Sequence, residues 1–94
     1  MQSIEELLGK LETADNTTKN KIENILVDKG SEVVPELVHQ LQVVKGVKRG
    51  VVAMTLIRIG KASVECLKKA ADANKDFEWV AKYLISEIKG NVAA

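Results

Sequence analysis

The stretch "VKRGVVAMTLIRIG", residues 47–60, decides how this chain folds. It is too apolar to be a helix that turns one whole face to water, and it is shorter than the roughly 18 apolar residues that a membrane span needs. Two basic residues, Lys48 and Arg49, stand near its start. The stretch therefore predicts a helix in the middle of a helical protein, with apolar neighbours on more than one side.

The length, net charge and cysteine count of the sequence limit the class of protein to which this chain can belong. Its 94 residues and formal net charge of +1 fit one domain over 1–94, and they lack the strongly basic character of a dedicated DNA-binding domain. The single Cys66 excludes an internal disulfide. No signal-peptide pattern opens the chain, and no apolar run is long enough for a bilayer. We therefore expect a soluble cytoplasmic protein that has no membrane contact and needs no cofactor.

A period of thirty residues runs through the sequence, because Gly30, Gly60 and Gly90 are spaced by that interval. Apolar residues recur at the same positions in each period, at steps of three and four, which is one face of an α-helix. The predicted units are at about 1–30, 31–60 and 61–90, with a short tail at 91–94, and the apolar columns are Ile4, Val34 and Val64; Leu7, Leu37 and Leu67; Leu11, Leu41 and Ala71.

Each unit is expected to hold a second helix, which ends before its glycine because glycine adopts a left-handed cap at low cost. Asn16, Gly46 and Asp76, again thirty apart, are residue types favoured at a helix N-terminus. Ser3 with Glu6 has the spacing of a capping box, and Pro35 fits the first turn of its helix. The first helices are predicted at about 3–12, 33–43 and 63–72, and the second helices at about 17–28, 47–59 and 77–88.

The three second helices differ in which side of the helical wheel is apolar. The first and third bury opposite arcs, and the middle one buries both, as the inner layer of a three-layer stack must. We therefore predict an all-α fold, an α-solenoid of three stacked hairpins with six helices. The predicted buried residues are Ile22, Ile25 and Leu26 in the first helix; Val47, Val51, Met54, Val52, Leu56 and Ile59 in the middle one; and Phe77, Ala81, Leu84 and Ile88 in the third.

The residues "GSEVVPELVHQL" at 30–41, followed by those at 47–60, resemble a HEAT-like repeat. In that family a helix with a Val-Pro-x-Leu pattern precedes a second helix with Val-Arg, small apolar residues and a final Ile-Gly. The short period is similar to that of phycobilisome lyase subunits. The resemblance covers nearly the whole chain and implies a protein-interaction scaffold. The stretch at 47–60 is one residue longer than the usual pattern, which leaves open which side chains of the second helices face a groove.

The resemblance also implies that the second helices line a binding surface for a protein or peptide. Trp79 and Tyr83 are one helical turn apart, and Trp, Tyr and Arg are enriched at binding hot spots. The alternative is that Trp79 and Tyr83 cover the open C-terminal end of the stack. Counted from Val47, the predicted partner-binding residues are Arg49, Ala53 and Ile57 in the middle unit and Trp79, Tyr83 and Glu87 in the third, and the matching column in the first unit is Lys19, Glu23 and Val27.

Other chemistry has weaker support in the sequence. Lys45, Lys48 and Arg49 are candidate anion contacts, and weak nucleic-acid binding through them is an alternative function, disfavoured because it needs a longer basic groove. An accessory role in a phycobilin-lyase-like enzyme is a second alternative, from the resemblance alone. His39 has no second ligand within helical reach, and Cys66 has no histidine partner, so we expect neither a metal site nor an enzyme. A monomer, or a weak homodimer through the C-terminal face, is the expected assembly.

Overall fold

The computed structural model describes residues 3–92, which are helical almost throughout and contain no strand. The prediction of an all-α fold is confirmed for this part of the chain. Five of its helices have ten residues or more, and a six-residue helix extended by a 3₁₀ turn precedes them. The helices are α1 (Ile4–Gly9), α2 (Asn16–Lys29), α3 (Val34–Val43), α4 (Val47–Ile59), α5 (Lys61–Ala73) and α6 (Glu78–Val92), with 3₁₀ turns at Lys10–Glu12, Gly30–Val33 and Lys75–Phe77.

The period of thirty predicts the helix ends at Gly30 and Gly60 correctly, but not the one at Gly90. Helix α4 begins and ends where predicted, and Gly30 and Gly60 follow helices with φ of 65° and 82°. Gly90 instead lies inside α6, which continues to Val92, so the helix end predicted before Gly90 is wrong. The first two glycines are needed where the chain turns directly into another helix. No further helix follows α6 within residues 3–92, so nothing requires a turn at Gly90.

Two side-chain caps lie one or two residues before their predicted positions. Asp15, not Asn16, caps α2, because its extended backbone lets the carboxylate accept a 2.8 Å hydrogen bond from the Thr18 backbone N–H. That hydrogen bond holds the pKa of the Asp15 carboxyl below its ordinary value. In the third unit Asn74, not Asp76, is the cap, and its side chain accepts from the Asp76 N–H at 3.1 Å.

Three other start signals are found where the sequence predicts them. The Ser3 hydroxyl oxygen accepts a 3.1 Å hydrogen bond from the Glu6 N–H at the start of α1. Pro35 lies in the first turn of α3, and Gly46 precedes α4 as its N-cap. These local signals therefore fix where three helices begin.

A single residue, Gly60, connects α4 to α5. Its φ of 82° has the predicted sign, but its ψ of −135° lies outside the left-handed helical region, in a region that only glycine adopts readily. The Gly60 N–H donates to the Leu56 carbonyl at 3.1 Å, and the buried Ser63 hydroxyl donates to the same carbonyl at 2.8 Å. Hydrogen bonds from both sides therefore fix this junction.

The helices form two layers. Helices α2, α4 and α6 pack side by side in that order, while α3 and α5 pack against each other and against α4 and α6 respectively. The core between the layers is aliphatic apart from Phe77, and the predicted columns supply much of it. The buried apolar residues are Leu7, Leu8, Leu11, Ile22, Leu26, Val33, Val34, Leu37, Val38, Leu41, Val52, Leu56, Leu67, Ala71, Phe77, Ala81, Leu84 and Ile88.

One prediction about the core is wrong. Val52 and Leu56 of α4 are fully buried, but Val47 and Met54 are 48% and 50% exposed, so the middle helix does not bury both of its apolar arcs. Ile25 of α2, also predicted to be buried, is 43% exposed. Val47 and Met54 are exposed because α4 has helices on three sides only, namely α2, α6 and the α3 layer. Within the described residues no helix covers the fourth side of α4.

Candidate functional site

The uncovered sides of α4 and α6 carry an apolar patch. Val47 and Met54 are the large exposed apolar residues of α4, and Trp79 and Tyr83 are those of α6. Helices α4 and α6 pack against each other, so these exposed residues lie on neighbouring helices. We call these four residues the α4–α6 surface.

Trp79 and Tyr83 dominate this surface. Their exposed fractions are 74% and 57%, and they lie one turn apart on the side of α6 opposite its buried residues. Phe77, Leu84 and Ile88 fill the core on that buried side. Both aromatic rings are therefore dispensable for the core and available to a partner, because packing that holds α6 in place comes from the other side of the helix.

Sequence reasoning missed Val47 and Met54, because it assigned them to the core. The period of thirty aligns α4 with α6 residue by residue, because the stretches at 47–60 and 77–90 have the same length, and it pairs Met54 with the buried Leu84. Exposure follows an alignment that is shifted by one residue, or about 100° of helix rotation: Gly50 and Met54 are exposed, as Trp79 and Tyr83 are, at an offset of 29 residues. The period therefore could not identify Met54 as an exposed residue, because the shift is visible only when the burial of the two helices is compared.

The other predicted column residues of α4 lie beside the surface. Ala53 and Ile57 are half-buried and pack against the core, so neither belongs to the outward side. Arg49 is exposed and lines a depression together with residues of α3, of the α5–α6 connection and of α6, among them Phe77 and Val80. Glu87 is exposed on α6, one turn beyond Tyr83.

The same face becomes polar on α2. Lys19, Glu23 and Val27, the predicted column of the first unit, are half-buried, while Thr17, Asn20 and Asn24 are exposed. An Arg58 side-chain N–H group of α4 donates to a Glu23 carboxylate oxygen at 2.6 Å and to the Asn24 amide oxygen at 2.9 Å. This contact joins α2 to α4, so the apolar surface on α4 and α6 ends at a hydrogen-bonded border.

The three candidate anion contacts do not share one site. Lys48 Nζ lies 3.0 Å from Glu12 Oε1, so its charge already has a partner. Lys45 and Lys48 line one depression together with Glu12, whereas Arg49 lines a different one that also contains Asp76. A carboxylate in each depression lowers its attraction for a phosphate group.

Neither a metal-binding group nor a membrane-spanning helix is found in residues 3–92. They contain no group of three or more His, Cys, Asp or Glu side chains placed to hold a metal ion. None of their helices is long and apolar enough to cross a membrane. Comparison with protein-family models, curated proteins and solved structures gave no significant match.

Proposed function

We propose that this protein is a non-catalytic interaction module that binds a peptide or a protein surface through the α4–α6 surface. In this proposal the chain is a HEAT-like α-solenoid, and its three hairpins are formed by α1 with α2, α3 with α4, and α5 with α6. The order in which the helices pack supports that arrangement, because α2, α4 and α6 are neighbours in sequence order. A cytoplasmic location is part of the proposal, and the single Cys66 is consistent with a reducing compartment.

The observation that carries the proposal is the exposure of Trp79 and Tyr83 beside Met54. A Trp or Tyr side chain buries on the order of 150–250 Å² when it is covered, so both rings contribute substantially to an interface. Met adapts its shape to a partner because its side chain is unbranched and flexible. Neighbouring helices lie about 8–10 Å apart, so one short peptide can contact both helices at once.

The polar border on α2 supports binding of a limited segment. Thr17, Asn20 and Asn24 offer hydroxyl and amide groups, which suit a hydrated edge better than an apolar contact. An apolar centre with a polar rim is the usual anatomy of a protein interface. We therefore place the anchors of the partner on α6 and α4, and its solvated end over α2.

The structure gives the two alternative functions no specific support. Nucleic-acid binding would use Lys45, Lys48 and Arg49, which lie in two depressions that each contain a carboxylate. An accessory role in pigment attachment has no observation that favours it. A monomer, or a weak homodimer through the C-terminal face, remains our proposal for the assembly.

The proposal is tested by selecting short random peptides displayed on phage against the immobilised protein. Trp79 is the only tryptophan, so its fluorescence reports directly on whether a selected peptide covers the surface. We expect the emission to shift to shorter wavelength on binding, and the double variant Trp79→Ala, Tyr83→Ala to lose about 30-fold or more in affinity, the equivalent of about 2 kcal/mol.

The matched control is Ile25→Ser, which removes an exposed apolar side chain of α2 outside the α4–α6 surface. It should leave peptide affinity unchanged, and circular dichroism should show native helix content in both variants. Selected peptides that bind the double variant as tightly as the parent, or that leave the Trp79 emission unchanged, would contradict the proposal.

A further inference from the structure

A second surface lies between α5 and α6, on a side of α6 different from that of Trp79. It is a groove of about 550 Å³ whose apolar floor is formed by Ala71, Ala81 and Ile85. Around α6, Ile85 lies about a third of a turn from Trp79, so one bound segment does not need both surfaces. The small residues Ala71 and Ala81 make the floor low enough for another helix to approach closely.

The rim of this groove has a charge pattern. Lys68 of α5 and Lys89 of α6 lie on it, and neither forms an ion pair among the described residues. Asp72 also lies on the rim, one turn from Lys68 towards the α5–α6 connection. Glu78, beside that connection, is already contacted by Lys75 and Lys82 at 3.8 and 3.6 Å. Lys68, Lys89 and Asp72 are therefore the charged residues of the rim that form no ion pair among the described residues.

We propose that this groove docks an amphipathic helix of a different protein, with its apolar stripe on Ala71, Ala81 and Ile85. The helix carries carboxylates where it passes Lys68 and Lys89, and a basic residue where it passes Asp72. An apolar stripe laid into a groove between two helices is a common recognition mode. The rim charges fix which end of the helix lies at the α5–α6 connection, since unlike charges attract and like charges repel.

A second copy of this chain fits the groove poorly. The exposed apolar residue of α2 that a second copy could lay in the groove is Ile25, which has Lys21 and Lys29 one turn before and after it. Those lysines would approach Lys68 and Lys89. The charges therefore point to a partner richer in Asp and Glu.

The test uses two synthetic peptides of equal composition and measures backbone amide shifts of isotope-labelled protein by NMR. In the polarised peptide, leucines form one helical stripe, glutamates lie towards one end and a single arginine lies at the other end. In the scrambled peptide the leucine stripe is kept, but the arginine lies among the glutamates. We expect saturable shifts at Ala71, Ala81 and Ile85 with the polarised peptide, and weaker binding of the scrambled one.

Charge reversal on the protein provides the control pair. Lys68→Glu with Lys89→Glu should weaken binding of the polarised peptide by about tenfold, because two rim contacts become repulsive. Lys61→Glu with Lys69→Glu makes the same change in net charge on exposed residues of α5 outside the groove lining, and it should have a much smaller effect.

Three results would overturn the inference. They are the absence of saturable binding of the polarised peptide, equal losses in the two charge-reversed variants, and shifts confined to Trp79, Tyr83 and Met54. The last result would place the peptide on the α4–α6 surface and leave the proposed function intact. A concentration-dependent dimer in sedimentation that the polarised peptide dissociates would show that a second copy is the occupant.

Discussion

Gly60 and Gly90 stand at equivalent positions of the sequence period, yet the structure predicts opposite effects for the same substitution. Gly60 has φ of 82° and ψ of −135°, and an added Cβ would meet nothing within 4 Å. The cost of Gly60→Ala therefore comes from the backbone alone and is about 1–3 kcal/mol. Gly90 lies within α6, where alanine is a better helix former, so Gly90→Ala should stabilise the protein by about 0.5 kcal/mol.

Thermal unfolding followed by circular dichroism separates the two effects. For a chain of this length a change of 1 kcal/mol moves the melting temperature by about 4–8 °C, so Gly60→Ala should melt roughly 10 °C lower and Gly90→Ala a few degrees higher. Urea unfolding gives the same comparison as free energies. Equal destabilisation by both substitutions would show that α6 ends at Gly90 as the period predicts, and would refute our account of the C-terminal unit.

Three further predictions concern the core, an interhelical contact and a cap. Leu37 is fully buried, so Leu37→Ala should cost about 2–5 kcal/mol in urea unfolding, and a loss below about 1 kcal/mol would mean that the first-helix column is not core. Arg58 of α4 contacts Glu23 of α2 at a partly exposed site. A double-mutant cycle with Arg58→Ala and Glu23→Ala should therefore give a coupling energy of about 0.5–1 kcal/mol. A coupling energy of zero would show that this contact does not link α2 to α4. The folded-state pKa of Asp15 lies below its unfolded value, so its contribution to stability is present above the unfolded pKa and is lost as the pH falls through the folded one. Asp15→Ala should therefore lower the melting temperature at pH 7, and the difference from the parent should shrink below about pH 4. Asn16→Ala should have little effect at either pH. A larger effect of Asn16→Ala than of Asp15→Ala would show that Asn16 is the cap, as the period predicts.

The sequence predicts where the helices begin and end better than it predicts which side of each helix is buried. The limits of α4 follow from Gly46 and Gly60, and the burial of Leu37 and Leu67 follows from their spacing, because both depend only on local signals and periodicity. The exposure of Met54 depends instead on which of its sides has a neighbouring helix. A wheel shows two apolar arcs on α4 but does not show that only one is covered.

Part of the candidate site was also predictable, because it depends only on the periodicity of one helix. Trp79 and Tyr83 lie opposite an apolar arc of their own helix, so their exposure follows from the sequence of α6 alone. Ala53 and Ile57 were placed by counting the outward column from Val47, and both are half-buried against the core because the exposed side of α4 is the one that carries Val47 and Met54. The groove between α5 and α6 depends on residues from two helices, and no pattern within either one indicates it.

The one-residue junction at Gly60 has a consequence for the partner binding that we propose. With no slack between α4 and α5, and with Ser63 holding the Leu56 carbonyl, the backbone under Met54 has little freedom to adjust when a ligand arrives. Adaptation is left to side chains such as Met54, Trp79 and Tyr83. Association should then proceed without a slow rearrangement step, and the entropy lost on binding should be that of a few rotamers and not that of a loop being ordered.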